Sequence, residues 1–320
     1  MNIARNVIRA ALAAVCMLAV AGSASAEETK FPTREVRFIV PVSPGGGMDT
    51  AARMLSKYWE KYLGGTIVVQ NIPGAEYNNA IYALLRSKPD GHTVITFPGV
   101  IANQILAGAD YDLTKFGWIG RIAESVQIAF TSKQSGIKGL ADLKKKQVVK
   151  AAVTGLSSSQ TIGQLISAKV MGFNVRPITH KGSTPMILSI IRGDSEWSTN
   201  ADTSTFPYIE SGDVVPLWVT SEKRLKQLPD TPTVHELGYP EVTKITGFHR
   251  IVGTNPGTPP EVLKKLRDSF KKAMEDPGFV KEYSKLGNPP AYLSGEETTT
   301  LVKEQLELFR PHVDYLKSFR

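Results

Sequence analysis

Residues 38–49 read FIVPVSPGGGMD, an apolar run that ends in a turn rich in proline and glycine. In the segment that follows, Met54, Leu55, Tyr58 and Trp59 recur at a spacing that places them on one side of a helix. The pattern predicts a strand, a glycine turn and a helix in immediate succession. The remainder of the chain can be interpreted outward from this unit.

The glycine turn has the features of a small-anion site. Three consecutive glycines, Gly45 to Gly47, let the backbone bend tightly and let a ligand approach the main chain closely. The first amides of the following helix have no partner within the helix and lie at the positive end of its dipole, where an anion is favoured. The alternative is a turn whose glycines serve geometry alone.

Nucleotide-binding motifs are absent from this turn. No Gly-Lys-Ser/Thr follows it, as a Walker loop requires, and no Gly-x-Gly-x-x-Gly marks a dinucleotide site. The turn therefore favours a carboxylate or a similar small anion over a nucleotide.

Strands and helices alternate through the first part of the chain. Residues 64–70 and 93–97 predict strands, and residues 79–87 predict a helix between them. Such alternation is typical of a parallel sheet flanked by helices, in which ligands bind at the carboxyl ends of the strands. The segments 43–49 and 97–100 both follow strands, so both are expected at that edge of the sheet.

A second turn repeats this design. Residues 148–153 predict a strand, residues 161–171 predict an amphipathic helix, and residues 154–160 between them read TGLSSSQ. The hydroxyls of this turn can donate hydrogen bonds to an anion. The alternative is a helix cap, but a cap needs only one serine, so ligand contact is favoured. Two later predicted strands end at the polar segments 180–183 and 200–203.

The N-terminus has the three parts of a secretory signal. Arg5 and Arg9 accompany the apolar segment 10–21, and residues 24–26, Ala-Ser-Ala, offer small side chains for cleavage before Glu27. The apolar segment is too short for a comfortable membrane span. We therefore predict a signal peptide at residues 1–26, followed by a secreted mature chain. An uncleaved anchor is the alternative.

The composition of the mature chain argues against several classes of protein. Cleavage would remove Cys16, the only cysteine, and leave 36 basic and 30 acidic residues, a net charge of +6. The basic residues are scattered, apart from the run at 144–146, and lack the aromatic interleaving of a nucleic-acid site. A modest positive field would attract an acidic solute. A chain of about 294 residues without disulfides usually forms two domains.

Motifs for catalysis are weak. The five histidines are not paired at the spacing of a metal-binding helix, and residues 155–159 lack the closing glycine of a Gly-x-Ser-x-Gly elbow. Asp49, Glu196 and Asp202 could serve as acid or base groups. Simpler roles are favoured: Asp49 as a cap of the first helix, Glu196 as a surface residue and Asp202 as a polar residue of the cleft. The sequence predicts no catalytic residue, no metal and no cofactor. A secreted hydrolase or lyase is the alternative.

Short phrases along the chain carry a resemblance. They are FPTREV at 31–36, IVP at 39–41, PGG at 44–46, NIPGA at 71–75, PDGHT at 89–93, HKG at 180–182, LWVTS at 217–221, LPDTPT at 228–233, ELGYP at 236–240 and PGTP at 256–259. Each phrase alone is weak, but the ordered set covers nearly the whole mature chain. Together they resemble the solute-binding receptors of tripartite tricarboxylate transporters, often called Bug-type or TctC-like receptors.

The resemblance implies an α/β fold of the type II periplasmic binding protein class, with two lobes, a two-strand hinge and a ligand cleft between the lobes. Lobe 1 would comprise residues 27–125 and 249–320, and lobe 2 would comprise residues 126–248. The implied protein is a periplasmic monomer that captures a small carboxylate and delivers it to membrane permease subunits without chemistry on the ligand. A sensor that signals through a membrane kinase would share the same cleft and is a second interpretation.

Three positions depart from the pattern of the family. Residues 76–79, Glu-Tyr-Asn-Asn, stand where the family usually carries more glycine, His180 replaces a usual tyrosine, and Arg250 replaces a glycine beside the expected hinge. A guanidinium can hold a carboxylate through two hydrogen bonds, so Arg250, or else Lys181, is a candidate partner for the ligand. The alternative is that Arg250 pairs with a protein carboxylate or lies in solvent.

The predicted ligand contacts come from the two turns, the strand ends and the substituted positions. They are Ser43, Gly45, Gly46, Met48, Asp49, Asn78, Phe97, Pro98, Thr154, Ser157, Ser158, Ser159, His180, Lys181, Asn200, Asp202, Thr203 and Arg250. Aromatic side chains at Tyr77, Phe97 and Phe248 would suit a longer or aromatic diacid if they line the cleft, and otherwise they belong to the core. The ligand is expected to be a di- or tricarboxylate or an aromatic diacid.

Overall fold

Strands in three sheets form the framework of the computed structural model, which describes residues 30–45, 47–98, 103–106, 109–156, 158–286 and 289–319. The predicted signal peptide lies outside these residues. The described strands are β1 Val36–Val40, β2 Ile67–Asn71, β3 Thr93–Phe97, β4 Gly117–Ser125, β5 Gln127–Ser132, β6 Val149–Val153, β7 Val175–Thr179, β8 Ser198–Ala201, β9 Val214–Val219, β10 Phe248–Thr254 and β11 Leu293–Ser294.

Helices alternate with these strands, as expected of an α/β protein. The described α-helices are α1 Gly47–Leu63, α2 Asn78–Leu85, α3 Asn103–Leu106, α4 Leu140–Lys145, α5 Ser159–Val170, α6 Ser183–Ile191, α7 Asp202–Glu210, α8 Glu241–Thr246, α9 Pro260–Glu275, α10 Pro277–Tyr283, α11 Gly295–Phe309 and α12 Val313–Lys317. Short 3₁₀ helices lie at Ala75–Tyr77, Leu113–Lys115, Ser284–Leu286 and Arg310–His312.

The first sheet has six strands in the order β11-β4-β10-β3-β1-β2. Strands β1, β2 and β3 are parallel, as the alternation of strands and helices predicted, with Val36 opposite Ile67 and Arg37 opposite Thr93. Strand β10 comes from much later in the chain and pairs antiparallel with both β3 and β4. The carboxyl ends of the three parallel strands therefore meet at one edge, and the glycine turn lies there.

The segment from residue 127 to residue 219 forms the other two sheets. Strand β5 pairs antiparallel with β8 and β9, and β6 pairs parallel with β7. An isolated bridge between Ala151 and Trp197 links β6 to the residue that precedes β8. Helices α5, α6 and α7 begin shortly after β6, β7 and β8.

A single residue, Val126, separates the six-stranded sheet from the three-stranded sheet. Residues 118–131 are predicted as one strand-like run, but in the structure β4 ends at Ser125 in one sheet and β5 starts at Gln127 in the other. The returning strand β10 starts beside this point, with Phe248 opposite Ser125. The chain thus changes sheet at two neighbouring positions, and the lobe boundaries predicted there remain a prediction.

Helix α1 is fixed against the first sheet by the fully buried Trp59. The Trp59 ring makes edge contacts with Phe38 on β1 and Phe270 on α9, at centroid distances of 5.9 and 5.3 Å. Its Nε1 also donates a hydrogen bond to Ser269 Oγ at 2.9 Å. One side chain near the end of α1 therefore joins this helix to strand β1 and to helix α9.

Four short helices, α3, α7, α8 and α10, were not predicted. Helix α7 contains Pro207, and its buried residues are Asp202 and Thr205, so no apolar periodicity marks it in the sequence. Helices α3, α8 and α10 have four, six and seven residues, which is too short for the periodic pattern to emerge. These helices depend on tertiary packing, because isolated helices of this length are marginal in water.

Candidate ligand-binding site

The glycine turn connects β1 to α1 at the carboxyl edge of the first sheet. Helix α1 begins at Gly47, earlier than the predicted start near Thr50, and runs for 17 residues. Gly45 has a φ of 89°, a conformation that residues with a side chain rarely adopt. Gly45 and Gly47 are exposed, as is Ser43, whereas Gly46 lies outside the described residues. The positive end of a long helix is therefore reached through exposed glycine backbone.

Asp49 organises this turn from within. One carboxylate oxygen, Oδ2, accepts the Gly45 amide at 2.9 Å, and the other, Oδ1, accepts Asn71 Nδ2 at 2.9 Å. Arg53 Nε donates to both oxygens at 3.0 Å. Burial opposes ionisation, but the hydrogen bonds from Arg53, Gly45 and Asn71 outweigh it and hold the pKa of Asp49 below its usual value. The Asp49 carboxylate thus accepts hydrogen bonds from donors within the protein, and these bonds fix the conformation of the turn.

Arg250 approaches the same turn from strand β10. Its Nη1 donates a hydrogen bond to Ser125 Oγ at 3.2 Å, and its Cζ lies 5.7 Å from the centre of the Phe248 ring. Its Nη2 lies 3.6 Å from the position that a Cβ on Gly47 would occupy. Among the described residues, no carboxylate comes within 4.0 Å of the guanidinium, and its buried Nε has no hydrogen-bond partner. Arg250 therefore does not pair with a protein carboxylate in this part of the chain.

A cavity of about 240 Å³ opens between the glycine turn and Arg250. It is lined by Gly45, Gly47, Thr50, Ala123, Glu124, Ser125, Thr203, Arg250, Tyr283 and Leu286. Gly45 and Gly47 follow a strand of the first sheet, whereas Thr203 follows β8 of the second. The cavity therefore gathers residues from both sheets, and it brings together three predicted positions, Gly45, Thr203 and Arg250.

Several lining residues were not predicted as ligand contacts. Thr50 belongs to the predicted helix, and Ser125 lies in the predicted strand-like run, where no pattern distinguished it from its neighbours. Tyr283 ends the unpredicted helix α10, and Leu286 follows it. Burial raises the pKa of Tyr283, and the adjacent Arg250 partly opposes this rise. Only tertiary contact could identify Ser125, Tyr283 and Leu286, because they are distant in sequence from the glycine turn.

Glu124 brings an acidic group to the wall of the cavity, but that group is paired. Arg121 Nη1 donates to Glu124 Oε2 at 2.8 Å and lies 3.2 Å from His249 Nδ1. His249 is 3% exposed, and burial, reinforced by Arg121, lowers its pKa to about 3. The neutral imidazole and the Arg121–Glu124 pair leave Arg250 as the unpaired charge among the described lining residues.

The second predicted turn lies at the start of α5. Ser158 is the N-cap of this helix, and its Oγ accepts the Thr161 amide at 3.2 Å. Thr154 Oγ1 lies 3.1 Å from Ser158 Oγ, so the two hydroxyls share a hydrogen bond. Ser157 lies outside the described residues, and Ser159 has a partner of its own. The capping role of Ser158 is therefore real, while ligand contact at this turn stays a prediction.

Asn200 occupies a buried position at the end of β8. Its side-chain oxygen accepts hydrogen bonds from Gln160 Nε2 at 3.1 Å and from Ser183 Oγ at 3.4 Å. Its Nδ2 has no partner among the described residues, although Asn200 is only 2% exposed. Asp202 is also buried and accepts the Thr203 amide at 2.7 Å. The first turns of α5, α6 and α7 thus meet around Asn200.

His180 and Lys181 lie between β7 and α6. The His180 amide donates to the Val153 carbonyl at 2.8 Å, which ties this turn to the end of β6. Burial lowers the pKa of His180, and Arg192 adds to the effect. Lys181 is exposed and forms no ion pair with the described carboxylates. Neither residue lines the 240 Å³ cavity in this conformation.

Four other predicted contacts lie away from the cavity lining. The ring of Phe97 is fully buried and packs in the core against Phe116 and Trp118, at centroid distances of 5.9 and 5.3 Å, so its side chain belongs to the core. Asn78 Oδ1 accepts a hydrogen bond from the Tyr111 hydroxyl at 3.0 Å. Met48 is buried on α1, and Pro98 is buried directly after β3.

A larger cavity of about 460 Å³ lies elsewhere, between residues 104–114 and residues 303–313. Its lining includes none of the predicted contacts. In the described part of the chain, no cluster of three or more histidine, cysteine or acidic residues could hold a metal ion. No helix within the same residues has the length and apolar character needed to cross a membrane.

Comparison with known proteins points to a receptor family. Residues 51–316 match the model of the tripartite tricarboxylate transporter family receptor. A UPF0065 protein of Bordetella bronchiseptica is 27% identical over 317 residues, covering 97% of this chain and 93% of the relative. Protein BugT of Bordetella pertussis is 24% identical over 287 residues, covering 87% of each chain.

Solved structures agree with the architecture. The periplasmic binding protein BugD is 26% identical with a TM-score of 0.65, covering 88% of this chain and 98% of BugD. A TctC solute-binding protein from Polaromonas has a TM-score of 0.76 at 21% identity, covering 89% and 99%. MatC from Rhodopseudomonas palustris, solved with bound malate, has a TM-score of 0.70 at 22% identity, covering 88% and 100%. The fold is therefore the α/β periplasmic binding protein fold that the sequence predicted.

Proposed function

Because the chain belongs to the family of tripartite tricarboxylate transporter receptors, we propose that it binds a small carboxylate beside the glycine turn and delivers it to a membrane permease of that transporter class. The family is one of receptors rather than enzymes. Its known fold relatives include a protein solved with a bound dicarboxylate, malate. We extend that ligand class to this chain as part of the proposal.

One observation carries the proposal: the 240 Å³ cavity is lined from both sheets and contains the start of a long helix. Gly45 and Gly47 bring the positive end of α1 to the cavity, and Thr203 brings the start of α7 from the other side. Helix N-termini favour anions because their first amides are unpaired and their dipole is positive there. A solute held in this cavity would contact both halves of the molecule.

Binding is proposed to stabilise a closed arrangement of two lobes. The lobes would meet at the crossing strands near Val126 and Phe248, with lobe 1 at residues 27–125 and 249–320 and lobe 2 at residues 126–248. A ligand that contacts both lobes favours the closed state through those additional contacts. The turn at Thr154 and Ser158 and the amide of Asn200 would face the ligand from lobe 2, directly or through water.

The cellular setting follows from the family. Receptors that serve a membrane transporter from outside the cytoplasm need export, so we propose that residues 1–26 act as a cleaved signal and that the mature chain is periplasmic. We further propose that the receptor works as a monomer.

A thermal-shift screen tests the proposed function. The mature chain, residues 27–320, would be titrated with mono-, di- and tricarboxylates, including malate, adipate and aromatic diacids. A ligand present at a hundred times its dissociation constant should add roughly 2.7 kcal/mol to the free energy of unfolding, which is readily detected.

Uncharged amides of the same acids are the matched controls for this screen, since they keep the carbon skeleton and remove the anion. We expect stabilisation by one class of carboxylate and none by its amide. Absence of stabilisation by every carboxylate would contradict the proposed function.

A further inference from the structure

Resting on the proposed function, we propose that Arg250 is the specificity-determining residue of the cavity and holds a carboxylate of a small aliphatic acid against the N-terminus of α1. The guanidinium would supply the charge, and the first amides of the helix would share the same carboxylate. This arrangement would replace a purely main-chain anion site by one that contains a fixed cation.

Arg250 lies at the N-terminus of helix α1. Its Nη2 lies 3.6 Å from the place of a Cβ on Gly47, the first residue of α1. A positive guanidinium is thus placed at the positive end of a helix dipole, which is electrostatically unfavourable when nothing negative lies between them. The nearest acidic residue of the helix, Asp49, is occupied by Gly45, Arg53 and Asn71. A ligand carboxylate would relieve this repulsion.

The guanidinium of Arg250 has one nitrogen engaged by the protein and one without a hydrogen-bond partner among the described residues. Nη1 is engaged with Ser125 Oγ at 3.2 Å, whereas Nε has no partner among the described residues. Nε and Nη2 form one edge of the planar group, and such an edge can take a carboxylate through two parallel hydrogen bonds. A buried hydrogen-bond donor without a partner destabilises the protein. A carboxylate that accepts a hydrogen bond from Nε removes this penalty and therefore binds more tightly.

Neighbouring side chains hold the Arg250 guanidinium in place. Ser125 and Tyr283 lie against Arg250, and the face of Phe248 is 5.7 Å away, so the group is positioned by its neighbours. Ser125 and Tyr283 are buried, at 4% and 3% exposure. A guanidinium that is held in place loses little freedom on binding, which favours affinity.

The dimensions of the cavity limit the ligand. Its volume of about 240 Å³ lies below the range of about 300 to 1,000 Å³ that is usual for small-molecule pockets. Ala123, Tyr283 and Leu286 provide apolar surface beside the charged corner. The cavity therefore fits a short aliphatic acid with a carboxylate at the Arg250 end better than an extended aromatic diacid.

Isothermal titration calorimetry with malate and adipate tests the inference. The mature wild-type protein would be compared with Arg250→Gln, Arg250→Lys and Ser125→Ala. We expect Arg250→Gln to weaken binding of the better probe by about 10- to 100-fold, because a charge-assisted hydrogen bond is lost. Arg250→Lys should recover part of the affinity, since it keeps the charge but not the bidentate edge, and Ser125→Ala should lose less than Arg250→Gln.

Arg310→Gln is the matched control, because Arg310 is an exposed arginine that pairs only with Glu307 among the described residues. The affinity of Arg310→Gln for either probe should equal that of the wild type.

Thermal unfolding without ligand should show Arg250→Gln to be at least as stable as the wild type, since the variant removes a cation from a helix N-terminus. Raising sodium chloride from 50 to 500 mM should weaken wild-type binding more than binding by Arg250→Gln.

The outcomes separate the two proposals. If the wild type binds a probe and Arg250→Gln binds it within twofold, with the same salt dependence, the role of Arg250 is wrong and the proposed function stands. If the wild type binds another carboxylate of the thermal-shift screen but neither malate nor adipate, the role of Arg250 in holding a small aliphatic acid is wrong and the proposed function stands. If it binds no carboxylate at all, the proposed function fails and the role of Arg250 fails with it.

Discussion

Asp49 illustrates how one buried side chain can fix the conformation of a glycine turn. Its carboxylate accepts hydrogen bonds from the Gly45 amide, Arg53 and Asn71, and Asn71 in turn donates to the Val42 carbonyl at 2.9 Å. These contacts tie together both ends of the glycine turn and the end of β2. Contacts within the protein therefore hold the backbone on both sides of the turn, and such preorganisation would reduce the entropy lost on binding the proposed ligand.

His249 makes the free energy of unfolding depend on pH. Burial lowers its pKa in the folded protein to about 3, whereas an unfolded histidine titrates near its ordinary pKa of about 6.5. Between these values the unfolded chain binds a proton that the folded chain does not, so stability falls as the pH falls below about 6.5. At pH 5 the loss attributable to His249 is about 2 kcal/mol, since each pH unit corresponds to about 1.36 kcal/mol.

Urea unfolding of wild type and His249→Gln at pH 7.5 and pH 5 measures this effect. Between pH 7.5 and pH 5 the free energy of unfolding should fall more for the wild type than for His249→Gln. This holds even if the two proteins already differ in stability at pH 7.5. His235→Gln is the control, because His235 contacts Thr243 Oγ1 at 3.1 Å from a partly buried position. An equal loss in wild type and His249→Gln would refute the assignment.

At the scale of elements, Trp59 is the largest of the buried side chains that attach helix α1 to its neighbours. Trp59 contacts Phe38 and Phe270 and donates to Ser269. Trp59→Ala should lower the free energy of unfolding by about 3 to 5 kcal/mol, because it leaves a cavity between one strand and two helices. Equilibrium unfolding in urea is the measurement.

Ser269→Ala is the control for the packing term, since it removes the hydrogen-bond acceptor and leaves the Trp59 ring in place. Its expected cost is about 1 kcal/mol. A loss below about 1 kcal/mol for Trp59→Ala would show that α1 is held by contacts other than this ring.

At the scale of the whole molecule, the crossing strands decide how the two halves can move. Strands β4 and β5 are separated by Val126 alone, and Phe248 on the returning strand lies opposite Ser125. Ser125 also accepts a hydrogen bond from Arg250. The proposed charged group and the proposed hinge are therefore neighbours, so that ligand binding and lobe closure would act at the same place.

Small-angle X-ray scattering tests closure in solution. The radius of gyration of the mature chain should decrease when a carboxylate that binds in the thermal-shift screen is added to saturation, because a ligand held from both lobes favours the compact state. The same concentration of sodium chloride is the control for ionic strength. An unchanged radius at a carboxylate concentration that calorimetry shows to be saturating would contradict the proposed closure.

Local pattern was sufficient for much of the fold. The run at 38–49 and the helical spacing of Met54, Leu55, Tyr58 and Trp59 predicted β1, the glycine turn and α1, since each depends on residues close together in the chain. The parallel arrangement of β1, β2 and β3 followed from the alternation of strands and helices. The family could be identified as well, because its short phrases keep their order along the chain. Helices α3, α7, α8 and α10 were not predicted because they are short and lack apolar periodicity.

The sequence by itself thus determined the strand–turn–helix unit, the α/β class and the family of this protein. Only the tertiary structure decided that Arg250 lies against Gly47 without a carboxylate among the described residues, that Ser125 and Tyr283 join the same cavity, and that the ring of Phe97 belongs to the core. The reason is physical: turns and periodic elements arise from interactions between near neighbours in sequence. A binding cavity arises from residues such as 47, 125, 203, 250 and 283, which become neighbours only when the sheets assemble.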